Sequence, residues 1–123
     1  MKKLFSIGVV CAAVMAAWSP ASQEPVKIGL IAPLTGDMSS LGDDVINALE
    51  MAVEERNEAG GINGREIVIV PGDGRCTGSD AASVAQKLVN VDQVDAILGG
   101  ICSGETLAAA PIIEAAEIVA LSS

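Results

Sequence analysis

Asp95-Ala96-Ile97-Leu98-Gly99-Gly100-Ile101-Cys102-Ser103 decides the fold. A short apolar run, read as a strand over Asp95 to Leu98, meets two glycines that let the backbone turn sharply. Ser103 then offers an N-cap for a helix over about Gly104 to Ala116. Pro111 lies inside that stretch and predicts a kink or an early end, because proline has no N–H to donate. Ile118-Val119-Ala120-Leu121 reads as the next strand.

The same alternation continues towards the N-terminus. Val26 to Ile31 is an apolar strand ended by Pro33. From Leu41 the apolar period becomes helical, with Val45, Ala48, Leu49, Ala52 and Val53 on one face. Gly60-Gly61 ends that helix and Asn63-Gly64 makes a tight turn. Glu66 to Val70 is β-branched and reads as the second strand. Pro71 to Gly78 is a glycine-rich loop. Thr77 with Asp80 resembles a capping box for a helix over Asp80 to Val91, with Val84, Ala85, Leu88 and Val91 inward. Four βα-type repeats, apolar on both faces of their strands, imply a parallel, doubly wound (Rossmann-like) α/β sheet with helices on both sides. Ligands of such sheets sit outside the carboxyl ends of the strands. That singles out the loops Ala32 to Leu41, Pro71 to Gly78 and Gly99 to Ser103. The fourth strand falls at the last residues, leaving an edge and an apolar face unpaired. The sequence is therefore expected to be part of a longer domain.

The first 21 residues read as an export signal. Met1-Lys2-Lys3 is cationic, Leu4 to Trp18 is uncharged and almost wholly apolar, and Ser19-Pro20-Ala21 places small residues at a cleavage site. About 15 apolar residues fall short of the roughly 20 that a membrane span needs, which leaves an N-terminal anchor as the lesser alternative. Cys11, in mid-run after two valines, does not fit a lipoprotein site. Residues 22–123 keep all 16 acids against five bases, no aromatic residue, and two cysteines, Cys76 and Cys102. An even cysteine count in an oxidising compartment reads as one disulfide, with two buried free thiols as the alternative.

Composition excludes several chemistries. The chain has no His, so it has neither a Ser-His or Cys-His pair nor a His-ligated metal. An acidic chain without stacking aromatics is a poor nucleic-acid binder. Gly72 to Gly78 approaches the dinucleotide fingerprint, but its third glycine is one residue late, it follows the second strand, and Asp73 would repel a pyrophosphate. Ser103 is misplaced for a nucleophile elbow. Asp37, Asp43 and Asp44 lack calcium-loop spacing and read as a solvated helix start, so no metal site and no cofactor are expected. At Ser103, a hydroxyl and free N–H groups at a helix start would suit a small anion such as a carboxylate. The pattern fits a plain, solvent-facing N-cap equally well.

Several segments together resemble the periplasmic branched-chain amino-acid binding proteins. They are Lys27-Ile28-Gly29-Leu30-Ile31-Ala32-Pro33-Leu34-Thr35-Gly36, Ala59 to Arg65, Asp73 to Cys76, the helix with Ala82 to Val89, and Ile97 to Ser103, in family order. The resemblance implies a two-lobed type I periplasmic binding fold, of which residues 22–123 form the N-terminal part of lobe I. It implies a monomeric, non-enzymatic substrate-binding component of an ABC importer. Its partners would be a small amino-acid-like solute and an inner-membrane permease. The family's first-lobe disulfide matches Cys76 and Cys102. Its carboxylate-binding hydroxyl matches Ser103, with the backbone of Ile101 and Cys102 beside it. The loop position that often carries an aromatic ligand contact is here Leu41. A ligand-sensing extracytoplasmic receptor domain of the same fold is the alternative.

Overall fold

The structure is a computed structural model and describes residues 23–122. The export signal read in residues 1–21 lies outside them. The elements alternate as expected: β1 (Val26–Ala32), α1 (Ser39–Glu58), β2 (Ile67–Asp73), α2 (Gly78–Lys87), β3 (Ala96–Gly99), α3 (Ser103–Ala115) and β4 (Val119–Leu121). All strand pairs are parallel, in the order β2-β1-β3-β4. The chain steps outward from β1 to β2, then crosses back over β1 to β3. Right-handed crossovers therefore place α1 on one face and α2 with α3 on the other.

The core lies between the sheet and the α2–α3 layer. Ile31, Ile97, Ala81, Ala85, Leu88, Val94, Ala109 and Ile113 are buried there together. Gly29 makes room for it: a Cβ at that position would sit 3.0 Å from the Leu88 side chain. The opposite face is thinner. Val45, Leu49 and Val53 of α1 are half-buried, whereas Ala48 and Ala52, expected on the same inward face, are exposed. Among the described residues one helix covers that face of the sheet, and its flanks have no described residues packed against them. Val119 and Leu121 of β4 point to this side and are 70% and 67% exposed.

Local chemistry explains most element ends. Gly60 and Gly61 take left-handed φ values of 102° and 69°. Their N–H groups reach back to the Asn57 and Arg56 carbonyls, closing a Schellman cap. Asn63 and Gly64, both at positive φ, form a two-residue turn between the bridged Ile62 and Arg65.

Several boundaries differ from the sequence reading. β2 runs on through Pro71 to Asp73; it is an edge strand, where a missing N–H costs no ladder bond. After α2 the chain widens into a π-type turn over Leu88–Asp92, which rotates Val91 into solvent and gives its core position to Val94. Finally, α3 passes through Pro111 without ending. Pro111 and Leu107, four residues before it, both face solvent, so water can satisfy the carbonyl that lost its partner.

Candidate functional site

The carboxyl ends of β1, β2 and β3 each feed a loop, and the three loops gather at one end of the sheet. Loop 1 is Pro33–Met38, loop 2 is Gly74–Thr77, and loop 3 is Gly100–Cys102. Gly99 reaches loop 3 at φ 112°, where a side chain would collide with the Ile31 carbonyl. A disulfide joins Cys76 of loop 2 to Cys102 of loop 3, with a Cα–Cα distance of 5.3 Å. This is the pairing the cysteine count implied.

Two carboxylates organise the same loops through hydrogen bonds. Asp73, at the end of β2, accepts from the Leu34 N–H at 2.9 Å, from the Thr35 hydroxyl and N–H, and from the Arg75 N–H at 3.1 Å. Burial pushes the Asp73 carboxyl up, but these four hydrogen bonds outweigh it, the Thr35 hydroxyl foremost, and hold the group below the usual carboxylate range. Glu105, in the first turn of α3, is fully buried. One of its oxygens accepts from the Cys76 N–H and the other from the Cys102 N–H, both at 3.0 Å. Asp73 thus ties loop 1 to loop 2, and Glu105 ties loop 2 to loop 3.

Cys102, not Ser103, is the N-cap of α3. Its backbone is extended, with φ −92° and ψ 139°, and the helix begins at the residue after it. That correction changes what Ser103 offers. As the first helical residue it is exposed, and its hydroxyl forms no hydrogen bond with the other described residues. The N–H groups of Ser103 and Gly104 are likewise without an acceptor among the described residues, as expected for a first helical turn. Cys102 is committed inward: its N–H goes to Glu105, and its carbonyl accepts from the Glu105 and Thr106 N–H groups.

Ile101 is half-buried and lines an apolar groove with Val45, Leu98, Gly99, Leu121 and Ser122, of about 220 Å³. Leu41, read as a loop residue, sits in the first turn of α1, because that helix starts at Ser39. It lies one turn before Val45, is 38% exposed, and does not line the groove. Among the described residues there is no group of three or more Cys, Asp or Glu side chains placed to hold a metal, and no helix long and apolar enough to cross a membrane.

The sequence reading gives Glu105 no role, and it treats Asp73 as a charge that would repel a pyrophosphate and as part of a family segment, not as a brace. Glu105 stands three residues after the true N-cap, which is the capping-box position. With Ser103 as the cap, that position falls on Thr106 and the signal does not show.

A doubly wound layer with its loops gathered at the carboxyl ends of the strands defines an α/β ligand-binding class. Within it, this chain belongs to the periplasmic binding protein family, whose profile matches residues 25–123. A Pseudomonas aeruginosa relative described as an amino acid binding protein is 36% identical over 98% of this chain and 33% of its own length. The Leu/Ile/Val-binding protein homolog 7 of Brucella melitensis is 38% identical over 94% of this chain and 28% of its own. Among solved structures, the branched-chain amino acid transporter substrate binding protein of Streptococcus pneumoniae, in complex with isoleucine, superposes with a TM-score of 0.76. It is 34% identical and matches over 80% of this chain and 28% of its own. A Rhodopseudomonas palustris ABC transporter solute binding protein, in complex with 3,4-dihydroxybenzoic acid, gives 0.73 at 27% identity, over 80% of this chain and 26% of its own. The chain spans about a third or less of the length of the relatives it matches.

Proposed function

We propose that residues 22–123 form the N-terminal part of lobe I of an exported substrate-binding protein, with residues 1–21 as its cleaved signal. The whole protein would hand a branched-chain or related amino acid to the permease of an ABC importer, as a periplasmic monomer and without catalysis. One observation carries the reading. The start of α3 presents a hydroxyl and two N–H groups, all unbonded among the described residues, at the carboxyl ends of the strands, next to the apolar groove of Ile101. A carboxylate is the ligand that such donors suit, since the helix dipole and the N–H groups act together on a negative charge.

The ligands held by the relatives support this. Isoleucine and dihydroxybenzoic acid differ in nearly everything except the carboxylate. The groove is also consistent with a two-lobed protein: about 220 Å³ is below the roughly 300–1,000 Å³ of an enclosing ligand site, as one wall of such a site would be. In this reading Ser103 and the neighbouring amides receive the carboxylate. Ile101 supplies apolar surface, Leu41 approaches from α1, and Cys102 holds the loop in place.

The test is calorimetric titration of the full-length protein with leucine, isoleucine, valine and benzoate. Ser103→Ala should weaken binding of the best ligand by about 1–3 kcal/mol, or roughly 5- to 150-fold in Kd. An unchanged Kd would remove Ser103 from the carboxylate site.

A further inference from the structure

Burying a carboxylate is costly unless its oxygens are well bonded. Glu105 is fully buried, yet it does more than a capping glutamate needs to do. Its Oε2 caps the Cys102 N–H at the head of its own helix. Its Oε1 leaves the helix and takes the Cys76 N–H from another loop, 29 residues earlier. The two N–H groups it holds belong to the two cysteines of the disulfide.

Loop 2 requires such a brace. Arg75 and Cys76 are consecutive residues in the left-handed region, at φ 50° and 60°. For residues with a Cβ this conformation costs about 1–2 kcal/mol each. A carboxylate catches the N–H of each: Asp73 that of Arg75, Glu105 that of Cys76. The absence of a side chain at Gly74 leaves the space that Glu105 Oε1 fills.

We propose that Glu105 is a positioning residue for the ligand wall. It holds loops 2 and 3 together non-covalently, keeps Cys76 and Cys102 paired even when their disulfide is open, and so fixes the direction in which Ser103 presents its donors. The clause about Ser103 rests on the carboxylate reading above; the brace itself does not.

The experiment uses the full-length protein and Glu105→Gln, with Glu105→Asp as the conservative variant. A glutamine offers one acceptor and a competing NH₂ donor, so one of the two cysteine amides loses its partner. The first readout is the equilibrium of the Cys76–Cys102 disulfide with glutathione redox buffers. Losing the brace lowers the effective concentration of one thiol at the other. Glu105→Gln should therefore be reduced at least tenfold more readily, about 30 mV less negative, with Glu105→Asp closer to wild type. The second readout needs no variant: in reduced wild-type protein, the Cys76 and Cys102 amides should remain protected from hydrogen exchange. An unshifted potential in Glu105→Gln, or loss of both protections on reduction of the wild type, would overturn the proposal. Ligand titration separates the two ideas. A shifted potential in a protein that binds none of the carboxylate ligands refutes the carboxylate reading and leaves the brace intact.

Discussion

Gly74→Ala should destabilise the protein far more than a glycine-to-alanine change in a loop ordinarily does. Gly74 is buried, and its backbone is not in the left-handed region, so alanine brings no torsional penalty. The damage is steric. The new methyl group would collide with Glu105 Oε1 and lie 2.9 Å from its Cδ and 3.1 Å from Ile31 Cγ2. Glu105 sits in the first turn of α3 with no exposed surface, so its carboxylate is the group that must move. Moving it strips the acceptor from the Cys76 and Cys102 N–H groups. At about 1–3 kcal/mol for each unsatisfied donor, the loss is about 2–6 kcal/mol, a large part of a domain's usual 5–15 kcal/mol. The assay is urea unfolding of the full-length protein, followed by circular dichroism, for Gly74→Ala, Glu105→Ala and the double variant. Because the added methyl group acts by displacing Glu105, the double variant should lose little more than Glu105→Ala alone, a strongly non-additive cycle. Stability of Gly74→Ala within about 0.5 kcal/mol of wild type, or additive losses, would refute the reasoning.

Three further outcomes are expected. Cys76 and Cys102 should resist alkylation until a reductant is added, and replacing both with serine should cost about 3.5 kcal/mol for a closed loop of this length. The Asp73 carboxyl is held below its usual value, near 3.8, so its contribution to stability is present above that pH and lost as the pH falls through the lowered folded-state value. Asp73→Asn should therefore be less stable than wild type near neutral pH, with the gap closing in acid; a gap constant with pH would count against the hydrogen bonds at Asp73. Thr77→Ala removes the side chain that caps the Asp80 N–H at the head of α2, and should cost about 1 kcal/mol in the same urea assay.

The fold was legible because each element carried its own punctuation. Pro33, Gly60-Gly61, Asn63-Gly64 and Gly99-Gly100 mark turns that the backbone takes where expected. Alternation of β-branched runs with helical periods fixed a parallel sheet. Phase was harder to see. The π-type turn after α2 moves Val91 outward, and no local residue announces it. The exposed Ala48 and Ala52 show the limit of periodicity: it finds the apolar stripe of a helix, but not how much of the stripe has a partner. Of the candidate site, the cysteine pairing and the three loops could be read in advance. The braces could not, because the bonds of Asp73 to Leu34 and Thr35, and of Glu105 to Cys76, span 39, 38 and 29 residues. A one-residue error in the cap was enough to hide Glu105.

The two bracing carboxylates have an evolutionary consequence. Loops that must both keep their shape and recognise a ligand usually face a trade-off, since a substitution that alters recognition also loosens the scaffold. Here shape is kept by Asp73, Glu105 and the disulfide, through bonds between the loops themselves. Ser103, exposed and with its hydroxyl unbonded among the described residues, carries almost none of that duty. On the proposed reading, the side chains around the ligand could change while the loops hold still, so that a lineage could exchange one small acid for another at little thermodynamic risk.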